Sequence, residues 1–220
     1  MPSLSERYRP TCWADVVGQD KALAKVHQVG KNGYGGRAYF LTGGSGTGKT
    51  SIARLIAAEV ADPFCIEELD GSKLTADKIR EIERTMHVWG WGKGGRAFIV
   101  NEVHGISKGA IKQLLTLLEP DGGGLPGHVV FVFTTTSENA QGLFEDNLDA
   151  GPLLSRCNVI ALARRDLAEP FAVRAREIAE KEGLNGAPPE RYRRLAKDCG
   201  NNLRMMLSEI EQGTLAGKGI

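Results

Sequence analysis

The 220-residue chain has no apolar run near the roughly 18 residues that cross a bilayer. Its opening, Met-Pro-Ser-Leu-Ser-Glu-Arg-Tyr-Arg-Pro, has no apolar signal core, so neither a membrane nor a secreted protein is expected. Cysteine is sparse: Cys12, Cys65, Cys157 and Cys199 are far apart, with no C-x-x-C pair. That spacing excludes the usual zinc motifs, and reduced thiols in a cytoplasmic protein are expected. Neither sign of charge prevails, since 28 Lys+Arg against 27 Asp+Glu leave +1. A polybasic nucleic-acid protein is excluded, though a local basic patch is not. Internal repeats and low-complexity tails are also missing. With 41% hydrophobic and 25% charged residues, the composition is that of a soluble globular protein.

Glycine, by contrast, is abundant: 28 of 220 residues, nearly twice the usual share of about 7%. It clusters at 30–36, 43–48, 90–95 and 122–127, between apolar stretches, and so belongs to loops. Residues 38–42 read as a buried strand. Residues 49–60 read as a helix with Ile52, Leu55, Ile56 and Val60 on one stripe. A second helix is expected over 75–86, a strand over 96–101 and a helix after the capping residue Ser107. Further strands are expected over 128–134 and 157–162. Strands alternating with helices imply a parallel sheet covered on both faces. From Asp166 the patterns are helical only, over 166–182, 188–198 and 201–213. The expected organisation is an α/β nucleotide-type domain over 1–164 and a small all-helical domain over 165–220.

Gly43-Gly44-Ser45-Gly46-Thr47-Gly48-Lys49-Thr50 fits G-x-x-x-x-G-K-[ST] in full. It follows a strand and opens a helix, with Ser51 in the helix's first turn. Such glycines let backbone N–H groups turn toward phosphate oxygens, and the helix N-terminus adds positive potential. Lys49 is expected at the β/γ-phosphates of ATP and the Thr50 hydroxyl at Mg²⁺. The strand over 96–101, expected to lie beside the first, ends in Asn101-Glu102. Glu102 suits a base that polarises the attacking water. Asn101 stands where an aspartate normally serves the metal. Its amide oxygen can still meet a magnesium-bound water, but one unit of charge is lost. Weaker Mg²⁺ retention or slower turnover is expected.

Taken in order, these motifs resemble AAA+ ATPases of the clamp-loader group, which includes the gamma/tau subunit of bacterial DNA polymerase III and the small subunits of replication factor C. The resemblance covers nearly the whole chain. It implies an AAA+ P-loop NTPase fold, a parallel sheet flanked by helices, with the helical domain as a lid. Arg7-Tyr8-Arg9-Pro10 through Val16-Val17-Gly18-Gln19 resembles the family opening that wraps adenine, which implies that role for Tyr8, Arg9, Pro10, Val16 and Val17. Asn101-Glu102-Val103-His104 resembles the second Walker motif. Thr136, with Thr135 as second choice, matches the sensor 1 position. Leu154-Ser155-Arg156-Cys157 matches the Ser-Arg-Cys motif, which makes Arg156 an arginine finger for a neighbouring subunit's ATP. Gly200-Asn201-Asn202-Leu203-Arg204 resembles sensor 2 and brings Arg204 to the γ-phosphate.

The same resemblance implies DNA phosphate contacts from Lys73, Lys78, Arg80, Lys108 and Lys112. For Trp89 and Trp91, packing against a neighbouring domain is favoured over stacking on bases. The remaining glycine clusters read as flexible connections without a ligand. The departures are a missing zinc module, a long link over 137–152, and no helical collar after the lid. Another chain supplies a collar, the sequence is a piece of a longer one, or assembly works differently. The implied function is an ATPase subunit of a clamp-loader-like oligomer, a pentameric spiral that loads a sliding clamp on primer-template DNA at the nucleoid. The alternatives are a subunit that only binds ATP as a switch, or a related remodeller of replication forks or Holliday junctions.

Overall fold

Five parallel strands form the sheet among the residues that the computed structural model describes, which are 2–119, 124–136, 151–184 and 186–215. They are β1 (Arg37–Thr42), β2 (Ile66–Asp70), β3 (Arg96–Asn101), β4 (Val129–Thr135) and β5 (Asn158–Ala161). Their order is β2-β3-β4-β1-β5. The strand ending in Asn101 is therefore not beside the strand that feeds the phosphate loop. β4 lies between them, paired with β1 on one side and β3 on the other. The reason is burial: every residue of β4 is buried, and the most apolar strand takes a central place. The registers Leu41↔Thr134 and Val100↔Phe133 keep the ends of β1, β3 and β4 at one edge. The loops after β1 and β3 thus face each other across Thr134.

β2 escaped the sequence pattern because Ile66-Glu67-Glu68-Leu69-Asp70 is an edge strand and is not an apolar run. The helices are α1 (Leu4–Arg7), α2 (Asp20–Gly30), α3 (Lys49–Val60), α4 (Ala76–Met86) and α5 (Lys108–Leu117), followed by α6 (Gly151–Ser155), α7 (Ala168–Lys181), α8 (Pro189–Asp198) and α9 (Leu203–Glu211). Alternation divides the strands between two cores. Phe40, Phe98, Val100, Phe131 and Phe133 meet Ile79 and Ile82 of α4 and Ile111 and Leu114 of α5. Tyr39, Leu41, Ile99, Val130 and Val132 meet Ile52 and Ile56 of α3 and Val26 of α2. A third core gathers Phe171, Ile178, Tyr192, Leu195, Met206 and Ile210 from α7 to α9, together with Leu4.

Side-chain caps start three of the helices: Thr75 accepts from the Lys78 N–H, Ser107 from Ala110 and Asn202 from Met205. Each such cap contributes about 1 kcal/mol. α3 is different, since it begins at Lys49 directly after Gly48, with no side-chain cap. Its first N–H groups are left for an anion.

The other glycine clusters are not merely soft connections. A methyl group on Gly35 would strike the Gly127 carbonyl, and one on Gly95 would strike the Val60 carbonyl. These glycines stand where backbones touch. Trp89 stacks on His128, just before β4, with ring centroids 4.5 Å apart, and remains 68% exposed. Trp91 is 81% exposed. Residues 137–150 of the long link lie outside the described residues.

Candidate functional site: a phosphate-loop cleft

A cleft of about 880 Å³, counting space open to solvent, runs between the sheet edge and α9. Four stretches line it: Tyr8, Arg9, Pro10, Val16 and Val17; Ser45 through Ser51; Glu102 and Thr136; and Arg204. All are residues anticipated from the sequence. Gly43 and Gly44, the first residues of the loop, are buried. Five lining residues were not anticipated: Ser5, Asp15, and the apolar wall of Phe171, Leu203 and Leu207. Leu203 and Leu207 lie one helical turn apart beside Arg204, a spacing that pointed to this wall.

The phosphate loop is shaped by its glycines. Gly46 has φ +72° and Gly48 φ +103°, conformations that favour glycine. A methyl group on Gly48 would meet nothing within 4 Å, so the space over the start of α3 is open. Lys49 is only 6% exposed, and its Nζ donates to the Gly43 and Gly44 carbonyls at 2.8 Å each. Burial holds its proton affinity below that of an ordinary lysine. Glu102 opposes that shift, while Arg204 and Arg164 add to it. Cations gathered around an open glycine loop suit a polyanion.

At the end of β3, Asn101 is the hub of a polar network. Its Oδ1 accepts from Thr134 at 2.9 Å and from Thr50 at 3.3 Å, and its Nδ2 donates to Glu68 at 2.8 Å. Glu102 follows in the left-handed region, φ 50° and ψ 57°. Holding a non-glycine residue there costs about 1–3 kcal/mol, and it turns the carboxylate toward the cleft. Thr136 Oγ1 donates to Glu102 Oε2 at 3.1 Å, and His104 Nδ1 lies 3.5 Å from the same oxygen. Thr135 is fully buried. Strand alternation puts Thr134 and Thr136 on one side and Thr135 on the other. That rule could have identified Thr134, which the sequence reading missed.

The N-terminal segment reaches both the loop and the helical layer. Tyr8 OH donates to Glu182 at 2.6 Å, and Arg7 forms a fork to the same carboxylate at 2.8 and 2.9 Å. Both hold the Glu182 carboxyl below the usual range, Tyr8 most strongly. Gln19, 1% exposed, donates to the Thr47 and Ala163 carbonyls at 3.2 Å and accepts from the Ala163 N–H at 2.8 Å. It clamps the phosphate loop to the segment after β5. Its place beside Val16-Val17-Gly18 hinted at importance but not at this role.

Arg156 does not line the cleft of its own chain. It follows α6, donating to the Pro152 carbonyl and to Glu119, each at 2.8 Å. Of the cations expected on DNA, Lys78 pairs with Glu67 at 2.8 Å and Glu81 at 3.1 Å, and Arg80 pairs with Asp77. Lys73, Lys108 and Lys112 are exposed.

The oxygen donors Thr50 and Asn101 are hard ligands of the kind Mg²⁺ takes together with water and substrate phosphates. Among the described residues no group of three or more His, Cys, Asp or Glu could hold a metal by itself. The four cysteines are free thiols. No helix among the described residues is long and apolar enough to cross a membrane.

The chain is 28% identical to the DNA polymerase III subunit tau of Escherichia coli (strain K12), over 98% of its own length and 35% of that protein's. It is 30% identical to the subunit gamma/tau of Mycobacterium tuberculosis over 61% of its length, covering 27% of that protein. The chain thus spans about a third of the tau subunit it matches. Its fold is similar to that of the Thermotoga maritima RuvB Holliday junction branch migration motor, with TM-score 0.72 and 18% identity, covering 93% of this chain and 64% of that one. Residues 39–164, which contain the phosphate loop, Asn101, Glu102 and Arg156, match the ATPase family associated with various cellular activities (AAA). With more than half the chain matched, the protein belongs to the AAA family of ATPases.

Proposed function

We propose that this protein binds and hydrolyses ATP as a subunit of a clamp-loader-like complex, which loads a sliding clamp onto primer-template DNA. The observation that carries the reading is one cleft, lined by the phosphate loop, Glu102 and Arg204, in a chain similar to a tau subunit over 98% of its length. The phosphates of ATP lie along Gly43–Gly48, with Lys49 released from its loop carbonyls to reach them. Adenine lies against Tyr8, Arg9, Pro10, Val16 and Val17. Thr50 and Asn101 hold Mg²⁺, which supplies charge neutralisation on the phosphate oxygens. Glu102 accepts a proton from the attacking water, and Thr136 holds its carboxylate until then. Arg204 senses the γ-phosphate, so residues 165–220 act as a lid on the domain over 1–164. Arg156 leaves Glu119 to enter the ATP site of a neighbouring subunit, where a fixed guanidinium meets charge on the transferred phosphoryl group. Lys73, Lys78, Arg80, Lys108 and Lys112 track DNA phosphates, and the complex works in the cytoplasm at the nucleoid.

The fold similarity to a Holliday junction motor favours a second reading, a junction or fork remodeller. Asn101 favours a third, a subunit that binds ATP without turning it over. ATP turnover measured with primer-template DNA plus a sliding clamp, and separately with four-way junction DNA, separates the three. Clamp loading predicts stimulation by the first mixture alone. Stimulation by the junction alone supports remodelling, and turnover in neither supports the switch.

A further inference from the structure

We infer that Glu68 is a positioning residue for the metal site, orienting Asn101 and supplying the negative charge that this asparagine lacks. The inference rests on reading the cleft as a Mg²⁺-ATP site. In the β2–β3 pair, Glu68 lies opposite Ile99 and Asp70 opposite Asn101. Glu68 is therefore the diagonal neighbour of Asn101 on the same face of the sheet. Its Oε1 accepts from Asn101 Nδ2 at 2.8 Å. On the other side of the carboxamide, Oδ1 faces the hydroxyls of Thr134 and Thr50.

A carboxylate can only accept hydrogen bonds. Only one orientation of the Asn101 carboxamide satisfies both sides: nitrogen toward Glu68, oxygen toward Thr50. The reversed amide would set oxygen against oxygen at Glu68. Glu68 thus decides that an acceptor, and not a donor, is presented to the metal beside Thr50.

Glu68 is itself held. Arg54 donates through Nε at 2.8 Å and through Nη2 at 3.3 Å to its two carboxylate oxygens. Arg54 belongs to α3, the helix that opens with Lys49 and Thr50. The brace therefore ties β2, β3 and the phosphate-loop helix together. Asp70, also on this face, is committed elsewhere: it accepts from the Ser72 N–H at 2.9 Å and from the Ser72 hydroxyl at 2.5 Å. An aspartate at 101 would bring its own oxygen against Glu68. The Glu68–Asn101 pair is the inverse of a Gln–Asp pair, with the same hydrogen bond and total charge but the charge moved one strand outward. Residues behind a metal ligand set its orientation and basicity in this manner.

The test is a Mg²⁺ titration of fluorescent ATP-analogue binding to the full chain, with binding also measured in EDTA. Glu68→Gln is expected to raise the Mg²⁺ midpoint about 10-fold or more while leaving affinity in EDTA unchanged. Glu68→Gln combined with Asn101→Asp rebuilds the pair in inverted form and is expected to return the midpoint to within about threefold of the unsubstituted chain. A purely structural Glu68 would give no such rescue. An unchanged midpoint in Glu68→Gln, or a double variant no better than the single one, overturns the inference. Failure of the unsubstituted chain to bind the analogue with or without Mg²⁺ overturns the reading of the cleft itself.

Discussion

Asn202 Oδ1 occupies the space directly over Gly46, so that a methyl group on this glycine would overlap it. The same oxygen accepts the Met205 N–H at 3.1 Å and caps α9, the helix that carries Arg204. The phosphate loop and the start of α9 thus share one contact. Gly46 also has φ +72°, unfavourable for any other residue. Gly46→Ala is therefore expected to cost about 1–3 kcal/mol of strain and to weaken ATP binding by about tenfold or more, the equivalent of about 1.4 kcal/mol. Calorimetric titration with a non-hydrolysable analogue checks this, and unchanged affinity would show that the loop and α9 are not coupled here.

Gln19 satisfies three backbone groups in a site that is almost fully buried. Gln19→Leu leaves those groups without partners. Stranding buried polar groups costs about 1–3 kcal/mol. Urea unfolding is expected to show a lower midpoint with an unchanged slope, together with weaker nucleotide binding because Thr47 is no longer held.

Much of the fold is legible in the sequence. The helix at Lys49–Val60 and the strand at Arg96–Asn101 fall where periodicity places them, because both have strong apolar patterns. The phosphate loop, Glu102, Thr136 and Arg204 line one cleft, as the motifs required. The polar edge strand β2 was not legible, and with it went Glu68, since neither has an apolar signal. The place of β4 between β1 and β3 was not read from the sequence either: its apolar run marks it as a buried strand, but not which strands flank it. Gln19 acts through contacts to Thr47 and Ala163, 28 and 144 positions away, which spacing along the chain cannot reveal.

Glu182 joins the N-terminal segment to the end of α7 through Tyr8 and Arg7. Its carboxyl is held below the ordinary value of 4.5 in the folded chain. A depressed carboxyl stabilises the fold fully above the unfolded value and loses that contribution as pH falls through the folded value. Glu182→Gln is therefore expected to lower the melting temperature at pH 7. The gap from the unsubstituted protein should shrink progressively below about pH 4.5. A gap that widens in acid contradicts the assignment.

Arg156 is tied to Glu119 and to the Pro152 carbonyl, away from its own chain's cleft. If it serves a neighbour, Arg156→Ala leaves ATP affinity of the isolated chain unchanged. In the assembled protein it is expected to lower turnover by roughly 10³-fold, the lower end for arginine fingers. Turnover that persists in the assembled variant removes Arg156 from the reaction.

The central claim is that this cleft hydrolyses ATP with Glu102 as base. It is tested most directly by measuring ATP binding and turnover on the same assembled samples, with primer-template DNA and a sliding clamp, for the unsubstituted protein and Glu102→Gln. Equal binding and a turnover lower by about 10²–10⁴-fold in the variant are expected, the usual contribution of a general base. Equal turnover in the two proteins, or binding without turnover in the unsubstituted one, would contradict it.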